Sequence, residues 1–96
     1  MSYTTISDIN VSSNFGVVNK VVWFNVSDIY GIFNVNFFIT PNQSKDVNIT
    51  IFNKDTKETI FSKKYFKSTN TTQINEIVQI THIPGLRSNI YGIKNN

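Results

Sequence analysis

The chain contains no cysteine and no alanine, one leucine, one histidine, two prolines and four glycines in 96 residues. Each shortage removes something. Without cysteine there is no disulfide, no thiolate nucleophile and no Cys-based zinc or iron–sulfur site, so the fold must stand on packing alone. With alanine missing and leucine used once, the strongest helix formers are gone. The glycines are isolated, so no Gly-rich phosphate loop exists. Six carboxylates (Asp8, Asp28, Asp46, Asp55, Glu58, Glu76) and one imidazole (His82) are scattered along the chain, a thin supply for acid–base or metal chemistry. No apolar run approaches the roughly 20 residues of a membrane span, which argues against membrane insertion. The stretch after Met1, SYTTISDIN, has neither the basic head nor the apolar core of a secretory leader. The chain therefore reads as cytoplasmic, although one trimmed of a leader would look the same and leave an extracellular location open.

What is abundant points one way. Fourteen Ile, with Val, Thr, Phe and Tyr, give a β-branched and aromatic composition suited to strands, and Asn also occurs fourteen times. The whole chain, residues 1–96, is expected to be one all-β domain, large enough to form a core but not a second lobe. The Asn, Ile and Lys bias with no Ala also resembles the drift of an AT-rich genome, which suggests a small accessory protein of a virus or mobile element. It also explains five N-x-S/T sequons, at Asn10, Asn25, Asn42, Asn48 and Asn70, without requiring glycosylation. The net charge of +3 suits solubility and falls short of the dense basic footprint of nucleic-acid binders.

Period-2 alternation places the elements. Residues 3–10 form a first strand, and 12–16 (SSNFG) a turn. Val17–Val26 is a second strand with Val22, Phe24 and Val26 inward. Ser27–Gly31 is a hairpin connection with Gly31 at positive φ, and Ile32–Thr40 is a third strand with Phe33, Val35, Phe37 and Ile39 inward. Val47–Asn53 and Thr59–Lys67 flank a charged hairpin tip at 53–58. Gln73–Ile83 carries Ile74, Val78 and Ile80 inward, with Ile77 and Ile83 on the opposite parity suggesting a bulge or two-sided burial. Asn89–Lys94 is the last strand. Seven short strands at this spacing predict an antiparallel β-sandwich, immunoglobulin-like in architecture.

The stretch Arg87-Ser88-Asn89-Ile90-Tyr91-Gly92-Ile93 resembles the D-S-G-x-Y-x-C segment of immunoglobulin domains, and Gly85-Leu86 before it the corner of fibronectin type III domains. The resemblance implies a tyrosine corner at Tyr91, whose hydroxyl would bond back to backbone a few residues upstream. It carries no activity.

Several residues invite a functional reading. A catalytic role for His82 would need a nucleophile and an orienting acid nearby, and none is recognisable around Ile80–Ile83; it reads as an ordinary strand residue. Asn53-x-Asp55-x-x-Glu58 could offer oxygens to Ca²⁺, but Lys54 and Lys57 are interleaved and no glycine makes the tight turn. No cofactor, metal or catalytic site is therefore expected. Lys63, Lys64 and Lys67 alternate with Tyr65 and Phe66 and are the candidates for single-stranded nucleic acid, although edge lysines also guard against aggregation. Trp23, Tyr30 and Phe38 lie on non-core parity or in a loop, and are the candidates for a partner site. The expected function is a non-enzymatic protein-interaction or assembly module with a protein partner or self-association. A carbohydrate-binding or adhesion domain through Trp23 and Tyr30 is the alternative, and nucleic-acid binding is disfavoured.

Overall fold

The computed structural model describes residues 6–15, 20–41, 43–67 and 73–95, and these form an all-β sandwich with no helix. Its strands are β1 (Ile6–Phe15), β2 (Lys20–Asn25), β3 (Gly31–Ile39), β4 (Val47–Asn53), β5 (Thr59–Tyr65), β6 (Ile74–His82) and β7 (Ile90–Asn95). They divide into a three-stranded sheet, β1-β3-β6, and a four-stranded sheet, β2-β7-β4-β5. The alternation explains why. In β3 and β4 every second residue is buried, so each strand presents one apolar face to a common core. Phe33, Val35, Phe37 and Ile39 from one sheet meet Val47, Ile49, Ile51, Tyr91 and Ile93 from the other.

The pairing departs from the sequence reading in four respects. First, β1 runs parallel to β3, so the three-stranded sheet is mixed and not antiparallel. Second, β2 and β3 are not a hairpin: they lie in different sheets, and residues 26–30 carry the chain across. Gly31 is consequently a strand residue opposite His82, and among the described residues the one glycine with positive φ is Gly85. Third, residues 12–15 are strand, not turn; β1 continues past a register shift between Asn10 and Asn14 to place Phe15 fully inside. There Phe15 meets Phe37 edge-on at 6.0 Å, and such a buried ring stabilises the fold by about 3 kcal/mol. Fourth, β6 pairs with β3 without a bulge, leaving Ile77 on the outer face and exposed, and the end residue Ile74 partly exposed. Residues 3–5 and 17–19 of the expected first and second strands lie outside the described residues.

The four-plus-three division matches that of constant-type immunoglobulin domains, whose sheets read 1-2-5-4 and 3-6-7 in chain order. The order found here, 2-7-4-5 with 1-3-6, does not. Tyr91 also departs from the corner that the resemblance implied, because its hydroxyl meets the His82 side chain at 2.9 Å.

Local chemistry sets the turns. At 53–58 the fully buried Asn53 accepts the Asp55 and Thr56 backbone N–H groups on Oδ1 and donates Nδ2 to the Ser88 carbonyl at 2.8 Å. This Asx arrangement closes the β4–β5 hairpin and leaves Lys57 at φ 64°. At 83–86, Pro84 and Gly85 (φ 82°) fill the central positions of a type II turn, with the Leu86 N–H donating to the Ile83 carbonyl.

Candidate functional site

The outer face of the four-stranded sheet carries an aromatic pair built on a glycine. The register sets Trp23, Gly92 and Phe52 side by side across β2, β7 and β4. The Val26 N–H donates to the Asn89 carbonyl, which fixes the phase of the β2–β7 ladder and makes Trp23–Gly92 a non-hydrogen-bonded pair, the kind in which side chains approach most closely. Gly92 has no side chain to oppose them. A Cβ there would sit 2.8 Å from Phe52 Cζ and 2.8 Å from Trp23 Cζ3, so the two rings occupy the space that any other residue would need. They meet edge to face, 5.5 Å between centroids and 74° between planes. Lys94 Nζ lies 5.2 Å from the Phe52 centroid and Lys54 Nζ 5.9 Å from that of Trp23, within cation–π range. Trp23 nevertheless remains 48% exposed, with Val21 exposed beside it on the same face.

Among the residues singled out from sequence, only Trp23 belongs to this site. Tyr30 is exposed in the β2–β3 crossing. Phe38 is half-buried on the outer face of the three-stranded sheet, in register with Asn14 and Asn75. Trp23 and Phe38 thus look out from opposite sides of the sandwich. The residues that complete the site, Phe52 and Gly92, had signals in the sequence: an aromatic on the outward parity of β4, and a glycine inside a strand, which marks close approach of a neighbour.

The lysine candidates are separated as well. Lys63 is on the core side of β5 and reaches across to β6, where Nζ donates to Glu76 Oε2 at 2.8 Å and the Tyr65 hydroxyl donates to the same oxygen at 2.6 Å. Lys64 is on the opposite face, beside the Phe66 ring. Lys67 follows the strand, its backbone N–H donating to Asp46 Oδ1. Burial raises the Glu76 carboxyl, but the Lys63 ammonium and Tyr65 hydroxyl outweigh it and hold it below its ordinary value. Burial, reinforced by the Glu76 contact, pushes Tyr65 far up, so both groups keep these charge states at neutral pH. The three residues close the seam between the sheets along the β5/β6 side.

The other polar concentration is internal. His82 and Tyr91 are fully buried and joined Nδ1 to Oη, and His82 Nε2 has no partner. Arg87 spans the rim of this end, donating Nη1 to the Thr81 carbonyl and gripping Glu58 through Nε (2.8 Å) and Nη2 (3.3 Å). That grip holds Glu58 below its ordinary value. Burial lowers His82 against the opposing influence of the Asn89 side chain and the Asp28 carboxylate, keeping the ring neutral. With Asn53 Oδ1 committed to backbone and Glu58 to Arg87, the Asn53–Asp55–Glu58 oxygens do not converge on a cation position. No three His, Asp or Glu side chains gather into a metal-binding group among the described residues. No helix among them is long and apolar enough to cross a membrane.

The outer face of the three-stranded sheet carries an amide ladder, in which Asn34 Nδ2 donates to Asp8 Oδ1 and Asn36 Nδ2 to Asn10 Oδ1. No family model, no curated protein and no solved structure matches this chain.

Proposed function

We propose that the protein is a non-enzymatic protein-interaction or assembly module whose contact surface is the outer face of the four-stranded sheet around Trp23 and Phe52. One observation carries this: a buried mid-strand glycine holds a tryptophan in a fixed pose on the outer face, where half its area stays in water. A ring so placed adds little to the core, yet it is what an interface anchor requires. It offers a large apolar area with few torsions to freeze, already oriented by Phe52 and rimmed by cationic side chains. Glu76, Glu58 and His82, by contrast, are engaged in the β5/β6 seam and at the His82 end, which favours binding over catalysis.

The test is affinity capture with quantitative mass spectrometry, comparing the wild type, Trp23→Ala and Phe66→Ala. Phe66 is the control because it is more exposed than Trp23, at 71%, but lies away from the site. A partner held by the wild type and Phe66→Ala but lost from Trp23→Ala supports the reading. Identical capture by all three sinks it. A carbohydrate platform is the second reading, favoured by the exposed indole on a flat sheet face; glycan-array binding that vanishes in Trp23→Ala would establish it instead.

A further inference from the structure

The four strand edges of the sandwich are not protected alike. An open edge presents unpaired N–H and C=O groups to any passing strand, and proteins blunt it with charges, prolines or bulges. In β1 the register breaks between Asn10 and Asn14, and Asp8 stands in the strand. β5 carries Lys63 and Lys64, and a register shift interrupts its pairing with β4 at Ile51/Phe52. β6 carries the core-side Glu76, capped from β5. β2 is the least protected: its one charge is Lys20 at its first residue, no other charged residue occurs until Asp28, there is no proline, and its register with β7 is unbroken.

The phase of the β2–β7 ladder fixes what this edge offers. Because Val26 bonds Asn89, the residues that bond β7 are Val26, Phe24, Val22 and Lys20, and the main-chain groups of Val21, Trp23 and Asn25 point away from the sheet. We infer that a second copy of this chain occupies the edge, β2 pairing antiparallel with the partner's β2 about a two-fold axis at Trp23. This deepens the assembly reading proposed above and rests on it. Outward-pointing groups must meet outward-pointing groups, and the register centred on Trp23 satisfies all three residues at once, Val21 facing the partner's Asn25 and Trp23 facing the partner's Trp23. No like charges oppose one another in that register, since Lys20 lies across from the partner's Val26. The two Trp23 side chains become directly opposed, with Val21 diagonal to the partner's Trp23, on the outer face of one continuous eight-stranded sheet.

A strand about 20 Å long makes a small contact, so association is sought by sedimentation of the full chain from about 5 to 500 µM. A monomer–dimer equilibrium is expected, with Trp23 fluorescence shifting to the blue as dimer forms. Val21→Pro removes an edge N–H without breaking a bond to β7, and Trp23→Lys sets two ammonium groups across the axis; each should weaken association at least tenfold. Ile77→Lys, on the opposite outer face, should leave it unchanged. The chain has no cysteine, so cross-linking reads the register: Val21→Cys/Asn25→Cys together should form covalent dimers on oxidation, and neither single variant should. This readout stands even if Val21→Pro fails to fold. A wild type that stays monomeric at the highest concentration overturns the inference, as does a dimer indifferent to both edge variants. A strict monomer that still captures another protein through Trp23 overturns only the second-copy assignment, whereas loss of both overturns the assembly reading too.

Discussion

Lowering the pH from 7.5 to 5 should destabilise the fold through His82 alone among the paired groups described. The ring is fully buried and neutral, with Nδ1 against the Tyr91 hydroxyl. The Arg87 guanidinium lies close by, and His82 Nε2 has no hydrogen-bond partner. A second proton would place a charge in the core beside that guanidinium. The folded value therefore lies below 6.5, and the unfolded chain binds more protons once the pH falls through 6.5. The stability due to neutral His82 is complete above 6.5 and is lost on acidification. While the folded ring stays neutral and the unfolded one is charged, the loss follows a limiting slope of about 1.4 kcal/mol per pH unit. Glu58 and Glu76, held below 4.5, add their own loss only beneath that value. Urea denaturation at half-unit pH steps measures the slope, and His82→Gln supplies the comparison: less stable throughout, but flatter between 7.5 and 5. Because the chain has one histidine, its imidazole NMR signals titrate without ambiguity. Equal slopes in the two proteins, or a folded-state midpoint at or above 6.5, would refute the reasoning.

Gly92→Ala should cost roughly 1 kcal/mol, since crowding Trp23 and Phe52 costs about 1–3 kcal/mol while replacing a mid-strand glycine returns about 0.5–1. Trp23 emission should move to the red as the rings part, and a more stable variant with unchanged emission would show that they do not pack over Gly92. Phe15→Ala should lose about 3–5 kcal/mol in chemical denaturation; a loss under about 1 kcal/mol would mean that the second half of β1 does not hold Phe15 in the core.

Much of the architecture was legible because alternation is a local property. β4 occupies the expected residues, and the inward sets of β2, β3 and β4 are buried or half-buried as the pattern requires. Pairing is not local. Nothing in Ser27–Gly31 distinguishes a tight hairpin from a crossing between sheets, because both need a short polar segment after an apolar strand. Phe15 was hidden by its neighbours: Ser12, Ser13, Asn14 and Gly16 are turn formers by composition, and only the register with Ile39 reveals that the strand resumes beyond an irregularity. Tyr91 was recognised as an anchored residue, but its partner comes from β6, which becomes its neighbour only when the two sheets close.

The same distinction decides what could be read of the site. Parity put Trp23 outside the core, which is correct, and put Phe38 there too, but parity is defined within one strand and says nothing about which side of the sandwich that strand's outer face will be. Once β2 and β3 belong to different sheets, their outward residues diverge by the whole thickness of the molecule. Neighbours on a face come from hydrogen-bonded registers instead, and the register that matters runs through β7, whose Gly92 joins a residue 29 positions before Phe52 to Phe52 itself. The same logic separates Lys63 from Lys64: adjacent in sequence, one closes the seam with Glu76 and the other faces outward. A mid-strand glycine flanked in register by outward aromatics is therefore a better pointer to which aromatics meet on one face than a local density of aromatics or lysines, because it reports a cross-strand contact that only the folded sheet can make.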